Sequence, residues 1–284
     1  MDINTHTQFC GVIGNPVEHS LSPAIHNAAF QECGLNFVYL AWRVENIGDA
    51  VKGLRALGNF RGASVTIPHK VSALPFLDKV ESTARHIGAI NTIVSTEGKL
   101  TGLNTDATGA LRALGEGGEG LKGQRVAMLG SGGAARAIAF ALATEGSIGH
   151  LDLLGIDDNE RKSLAEDLRS KTATAVHDMC LNDDSLKHVL AEAQVLIHCT
   201  PTGMSPKVEN TCVPASLLHA KLTVMDIVYN PRETRLLKDA KAVGCKTIPG
   251  LEMFLHQAAA QFELWTGKPA PTKVMRAVLE SHFS

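Results

Sequence analysis

Residues 125–135 read Arg125-Val-Ala-Met-Leu129 followed by Gly130-Ser-Gly-Gly-Ala-Ala135. The first five are an apolar run of strand length, and the Ala-rich stretch that continues to about Thr144 is helical. Between them lies the spacing G-x-G-x-x-A. Each small residue there has a physical job. One makes a tight turn, one lets backbone approach a pyrophosphate, and one packs helix on strand. The helix N-terminus then offers unpaired N–H groups and positive dipole to an anion. The strand before and the helix after point to the first unit of a dinucleotide-binding fold. An ordinary glycine-rich βα turn is the competing reading.

Working downstream, Leu151–Leu154 is the next strand, and it ends in Leu154-Gly-Ile-Asp157-Asp-Asn159. In such a fold this position reads the ribose 2′ group. It holds two acids and no base until Arg161. A carboxylate accepts hydrogen bonds from ribose hydroxyls and repels a 2′-phosphate, so Asp157 favours NAD over NADP. A solvated turn is the other reading, because Asp and Asn are common turn residues. Val195–Cys199 and Thr223–Val228 are further strands, with helical-looking segments between the strands. Leu251–Trp265 and Pro271–His282 read as two helices.

Upstream, Phe9–Ile13 is a strand that stops at Gly14-Asn-Pro16. Ser22-Pro23 opens a helix over Ala24–Cys33, with Ser at the cap and Pro at the first helical position. Asn36–Val44 is a strand, Ile47–Leu57 a helix, and Gly62–Ile67 a strand. A helix from about Val71 to Thr83 precedes a strand at Ala89–Ser95. Leu100–Asp106 is a short segment that leads into a helix at Ala107–Leu114. Gly115-Glu-Gly-Gly-Glu-Gly120 is a domain linker or a surface loop. This alternation specifies an α/β protein with largely parallel sheets.

The 284 residues suit two domains at about 150 residues each. Hydrophobic residues are 44% and charged residues 20%, which excludes disorder and a disulfide-stapled miniprotein. Lys and Arg number 27 against 29 Asp and Glu, without a basic run, so a dedicated nucleic-acid surface is not expected. Six cysteines stand singly, with no C-x-x-C. The N-terminus lacks the basic and apolar regions of a signal peptide. The most apolar stretch, Ala137–Ala143, is far short of a membrane span. The expectation is a soluble, cytoplasmic protein with free thiols.

Polar clusters sit at strand ends and turns in the first part of the chain: Ser20-Leu-Ser22, Thr66-Ile-Pro-His-Lys70, Asn91-Thr92 and Asn104-Thr-Asp106. Singly, each has a bland explanation. Ser22 and Asp106 suit helix caps, Asn91 and Asn104 suit turns, and Lys70 suits a solvated surface. Together they resemble a known family. Gly14-Asn-Pro-Val-Glu-His-Ser-Leu-Ser-Pro23, Val65-Thr-Ile-Pro-His-Lys70, Gly88-Ala-Ile-Asn-Thr92 and Gly102-Leu-Asn-Thr-Asp106 are similar to signature runs of shikimate dehydrogenases. So are Gly130-Ser-Gly-Gly-Ala-Ala-Arg136, Thr200-Pro-Thr-Gly-Met204, Asp226-Ile-Val-Tyr-Asn-Pro231 and Pro249-Gly-Leu-Glu-Met-Phe-Leu-His-Gln257. The order holds from about residue 11 to residue 267.

The resemblance implies reversible, NAD(P)H-dependent reduction of 3-dehydroshikimate to shikimate, in the route to chorismate and the aromatic amino acids. It implies a two-domain α/β fold. A substrate-binding domain spans 1–104, with 252–284 returning to it, and a Rossmann domain spans 105–251. It carries Lys70 and Asp106 over as the catalytic pair. Ser20, Ser22, Thr66, Lys70, Asn91, Asp106, Tyr229 and Gln257 would hold the substrate. Gly130, Ser131, Gly132, Gly133, Ala134, Asp157, Ile227 and Gly250 would contact the cofactor. The chemistry suits these types. Ser, Thr, Asn and Gln give and accept hydrogen bonds to a polyhydroxylated ring acid. A lysine ammonium stabilises the oxygen left by hydride addition and donates its proton.

Two departures bear on specificity. Many family members carry Asn-Arg-Thr where this chain has Gly155-Ile-Asp157. The family default is NADP, held by that Arg, whereas an acid there resembles the NAD-using quinate/shikimate dehydrogenases. A residual role for Arg161 or Lys162 stays open. Ser20-Leu-Ser22 is the shikimate-type run, so shikimate leads and quinate is the alternative substrate. A catalytically silent dinucleotide-binding protein is a further alternative, set against the presence of both Lys70 and Asp106. A folate-type dehydrogenase gives no reason for Ser20 and Ser22. His19, His26 and His69 show no metal-ligand spacing, so no metal is expected. The partners expected are the small-molecule substrate and, as an open option, a second copy of the chain in a homodimer.

Overall fold

A computed structural model of the chain describes residues 3–116 and 120–282. The chain divides into two compact units, Met1–Thr108 with Leu255–Ser284, and Gly109–Phe254. It passes from the first unit to the second within helix α5 (Thr105–Glu116) and returns within α10 (Gly250–Thr266). The middle of the 115–120 stretch, residues 117–119, lies outside the described residues.

The first unit holds a mixed six-stranded sheet. Its strands are β1 (Gln8–Gly14), β2 (Phe37–Arg43), β3 (Phe60–Val65), β4 (Lys79–Val80), β5 (Thr92–Thr96) and β6 (Lys99–Leu103). Their order is β2-β1-β3-β5-β6-β4. β1 runs parallel to β2 and β3, and β4 runs parallel to β6, while β5 is antiparallel to both its neighbours. The β5–β6 hairpin corrects the reading of Leu100–Asp106 as a simple lead-in. Glu97 and Gly98 both have positive φ, the geometry of a two-residue type I′ turn. Ile13, Phe60, Val65, Ile93 and Leu100 form the buried centre beside this sheet.

Two helical expectations in this unit change. Leu21, not Ser22, occupies the N-cap position of α1 (Ser22–Glu32), and no side chain caps that end. The helix expected over Val71–Thr83 breaks into α3 (His69–Ser72), a 3₁₀ turn at Leu74–Phe76, β4, and α4 (Ser82–Ile87). Pro75 lacks the N–H that would continue α3, and Lys79–Val80 pairs with β6 instead.

The second unit holds six parallel strands: β7 (Arg125–Leu129), β8 (His150–Gly155), β9 (Ala175–Cys180), β10 (Val195–His198), β11 (Thr223–Asp226) and β12 (Lys246–Pro249). Their order, β12-β11-β10-β7-β8-β9, is that of a doubly wound dinucleotide-binding sheet. The order reverses between β7 and β10, so the turn after β7 opens at the crevice where such folds take ligands. β7 and β10 are buried along both faces, which explains their continuous apolar sequence. The edge strands β9 and β12 are partly exposed and polar, and for that reason escape a search for apolar runs. The region 200–222 was expected to be helical but forms only a 3₁₀ turn at Ala215–Leu217, because Pro201, Pro206 and Pro214 interrupt it.

Candidate active site

In the first unit, Lys70 lies on α3, Asp106 on the first turn of α5, and Asn91 just before β5. Lys70 Nζ donates to Asp106 Oδ2 at 2.6 Å, and Asn91 Nδ2 donates to Asp106 Oδ1 at 2.8 Å. A cation and an amide therefore share one carboxylate. The Lys70 side chain is 34% exposed and that of Asp106 16%, so a shielded carboxylate holds an ammonium that still faces solvent. Asn91 has its amide fixed from the other side. Its Oδ1 accepts from the Thr105 backbone N–H at 2.7 Å and from the Thr92 hydroxyl at 2.8 Å. A backbone N–H only donates, so Nδ2 must face Asp106.

Behind Asn91 runs a buried hydrogen-bonded chain. Gln261 on α10 donates to Thr92 Oγ1 at 2.9 Å and accepts from Ser64 Oγ at 2.8 Å. Ser64 meets the Tyr39 hydroxyl at 2.6 Å, and that hydroxyl also lies against Ser22. Sequence reasoning missed Gln261, Thr105, Ser64 and Tyr39 as support. One signal was available: Gln261 is a second amide one turn after Gln257, across an Ala-Ala-Ala run of the same helix, which puts both on one face. Ser20 and Ser22 are adjacent, with Ser20 Oγ accepting from the Ser22 N–H at 3.3 Å. Ser22 caps no helix, and its buried hydroxyl lies against that of Tyr39. Thr66 stands directly after β3, and Gln257 is buried on α10. His69 turns inward, its Nε2 2.7 Å from the Val44 carbonyl. His26 is buried and stacked on Tyr39, and that burial pushes its imidazole down to about 3.

In the second unit, Gly130 follows β7 with φ +108°, and a Cβ there would come 2.7 Å from the Cys199 carbonyl oxygen. Gly132 occupies the N-cap position of α6 (Gly133–Thr144) without a side-chain cap. A Cβ on Gly132 or Gly133 would meet only open space. Nothing among the described residues requires small residues at those two positions, whereas a phosphate approaching the N–H groups of this helix end would. Ser131 and Ala134 flank them, half-buried. Ala135 is fully buried against the sheet. Gly250, the first residue of α10, packs against the Ile227 and Val228 carbonyls with no room for a Cβ. Tyr229 is 38% exposed, with its ring 5.3 Å from that of Phe254. Burial pushes the Cys199 thiol up, which keeps it protonated and non-nucleophilic.

Beneath these loops lies a pair that sequence reasoning did not assign. His198 ends β10 and Asp226 ends β11, directly opposite in register. Asp226 is fully buried. It accepts from His198 Nδ1 at 2.9 Å, from the Val228 N–H at 3.0 Å and from the Thr234 hydroxyl at 2.6 Å. His198 Nε2 in turn meets Thr200 Oγ1. One carboxylate thus ties together the loops after β10 and β11. Burial alone would push the His198 imidazole down, but its hydrogen bonds to Asp226 and Cys212 raise it to about 9.

The comparisons with known proteins agree over the full length. The family profile described as the shikimate dehydrogenase substrate binding domain matches residues 12–93, and that of the shikimate 5'-dehydrogenase C-terminal domain matches residues 250–280. The shikimate dehydrogenase (NADP(+)) of Moorella thermoacetica is 44% identical, over 98% of this chain and 95% of its own. The chain belongs to the shikimate dehydrogenase family. The structure of shikimate 5-dehydrogenase from Listeria monocytogenes, in complex with shikimate and NAD, superposes with a TM-score of 0.94 at 38% identity, covering 98% of both chains. Quinate dehydrogenase from Corynebacterium glutamicum, in complex with NAD, superposes with a TM-score of 0.90 at 33% identity, over 97% of this chain and 99% of that one.

The loop at the end of β8 is the one expected to read the ribose. Ile156 is 82% exposed. Asp157 caps α7 (Asp158–Lys171), accepting from the Glu160 N–H at 2.9 Å. Arg161, the first base after it, is buried and bound to Asp158 at 2.6 Å, Asp178 at 3.2 Å and the Gly155 carbonyl at 3.1 Å. Lys162 pairs with Asp158 at 3.3 Å. Both bases are therefore already engaged. Among the described residues no helix is long and apolar enough to cross a membrane.

Proposed function

We propose that the protein is an NAD(P)-dependent shikimate dehydrogenase that interconverts 3-dehydroshikimate and shikimate. The observation that carries this reading is the Lys70–Asp106–Asn91 set, found in a chain of this family. Ser20, Ser22, Thr66, Asn91, Tyr229 and Gln257 take the substrate's hydroxyls and carboxylate. The open space at Gly132 and Gly133 over a free helix end fits a pyrophosphate, with Gly130, Ser131, Ala134, Ile227 and Gly250 around it.

A reduced nicotinamide dinucleotide supplies the hydride. The Lys70 ammonium holds the ketone oxygen as negative charge develops on it, then gives that oxygen its proton. Asp106, pinned by Asn91, fixes the ammonium and accepts from a neighbouring substrate hydroxyl. In the oxidative direction Lys70 takes the hydroxyl proton back.

NAD is the favoured cofactor in this reading. Asp157 repels a 2′-phosphate, Ile156 offers it no donor, and Arg161 and Lys162 are bound to aspartates. The test is steady-state oxidation of shikimate and quinate, each with NAD⁺ and NADP⁺. Shikimate with NAD⁺ should lead by at least about tenfold in kcat/KM, about 1.4 kcal/mol. A quinate preference would move the chain to the quinate branch of the family. Inactivity with all four pairs would refute the enzyme reading.

A further inference from the structure

The second sheet carries another cluster of chemistry-bearing side chains, at the end opposite the glycine turn. His150 is the first residue of β8, and Asp152 follows two positions on, so both project from one face. Asp152 pairs in register with His177 on β9, which puts His177 on that face as well. His150 Nε2 lies 2.9 Å from Asp152 Oδ1, and His177 Nδ1 lies 3.9 Å from the same oxygen. The two imidazole rings are 4.5 Å apart, edge to face. One atom from each of the three residues falls within 4.8 Å of the others.

We propose that His150, Asp152 and His177 form a binding site for a divalent transition-metal ion of the zinc class. Two imidazole nitrogens and a carboxylate oxygen are the donor set such ions prefer over magnesium or calcium. Bonds of about 2.0–2.1 Å in tetrahedral geometry separate ligand atoms by about 3.3 Å. The spacings of 2.9 and 3.9 Å bracket that value. The adjustment falls on His177, whose side chain is 65% exposed and free to turn, while Asp152 is fixed and buried.

The surroundings fit a metal rather than a bare histidine contact. Arg125 Nε donates to Asp152 Oδ2 at 2.8 Å and a second guanidinium nitrogen donates more weakly to Oδ1 at 3.4 Å, so the guanidinium holds the carboxylate while Oδ1 also meets the imidazoles. An outer partner of that kind orients a ligating carboxylate. Arg125 also pairs with Glu192. Asp152 and Glu192 place two carboxylates against the one Arg125 guanidinium, a balance that attracts a cation. The ligands come from two strands and lie 27 residues or fewer apart without any H-x-x-H pattern. Strand pairing alone joins them, so the expectation of no metal from spacing could not detect them. From His150 to Gly155 the strand rises about 16 Å, so the ion would clamp β8 to β9 away from the glycine turn.

The experiment is zinc titration calorimetry on EDTA-treated full-length protein, with thermal unfolding in zinc and in EDTA, for the parent chain, His177→Ala and His150→Ala. The parent should bind one equivalent and melt higher in zinc. Each variant should bind at least about tenfold more weakly and lose the melting shift, with shikimate oxidation in EDTA unchanged. Absence of parent binding, or a loss below tenfold in either variant, overturns the site. Activity in EDTA reports separately on the enzyme reading.

Discussion

Replacing Asp226 by Asn removes one buried charge and keeps the shape of the side chain. The Asn oxygen can still accept from His198 and the Val228 N–H, and its NH₂ can meet Thr234, so packing is preserved. What goes is the charge that holds His198 protonated. The imidazole rises from its ordinary 6.5 to about 9 in the fold. At 1.36 kcal/mol per pH unit, protonated His198 contributes about 3 kcal/mol through Asp226 and, second, Cys212. The folded-state value is raised, so this stability is fully present below pH 6.5 and is lost as pH rises through about 9. In Asp226→Asn burial acts on His198 with only Cys212 opposing it, and the imidazole is expected to stay neutral. The parent should therefore exceed the variant by about 3 kcal/mol more at pH 6 than at pH 9.5. For a unit of this size that is about 6–12 °C of Tm. Thermal unfolding of both proteins at the two pH values measures it, and their difference cancels every other titration they share. An equal gap at both pH values would refute a protonated His198.

Three further outcomes follow from the site. Lys70→Ala should lower kcat about 10²–10⁴-fold, the size of a proton-transfer contribution, with KM moving less; near-normal kcat would remove Lys70 from the chemistry. Ile156→Arg combined with Asp157→Ser, which keeps the α7 cap, should raise kcat/KM for NADP⁺ about ten- to a hundredfold, as expected for a charge-assisted phosphate contact worth about 1.5–3 kcal/mol; an unchanged cofactor ratio would show that this loop does not meet the ribose. Gln261→Met should cost about 1–3 kcal/mol in urea unfolding by removing the acceptor of the Ser64 hydroxyl and a donor to Thr92, and parent-like stability would show that the remaining partners suffice.

The fold was legible where burial is two-sided. β7, β10 and β11 read as apolar runs because both faces meet other layers, and the glycine turn is local in sequence. The misses share one cause. β9 and β12 are edge strands, half in solvent, and their composition is that of loops. β4 has two residues, and only β6 makes it a strand. The break of the helix at Pro75 follows a local rule, yet what comes after it depends on a partner 22 residues away, since Lys79 pairs with Thr101.

The site divides along the same line. Lys70, Asn91 and Asp106 stood out because each sits at the end of an element, where a polar residue needs a reason. Their supports did not stand out. Thr92 and Ser64 are strand residues whose hydroxyls, in sequence, read as β-propensity or surface. Tyr39 reads as core, and His198 as one more residue of an apolar strand. Each acquires its role only when a distant element arrives: Gln261 from 169 residues beyond Thr92 and 197 beyond Ser64, and Asp226 from the next strand. A group that touches substrate must be polar whatever surrounds it, so its type shows in the sequence. A group that orients another by a buried hydrogen bond can be any small donor or acceptor, and its partner must be matched in place. The parts of this site that act on a ligand were therefore open to reading, and the parts that hold them still were not.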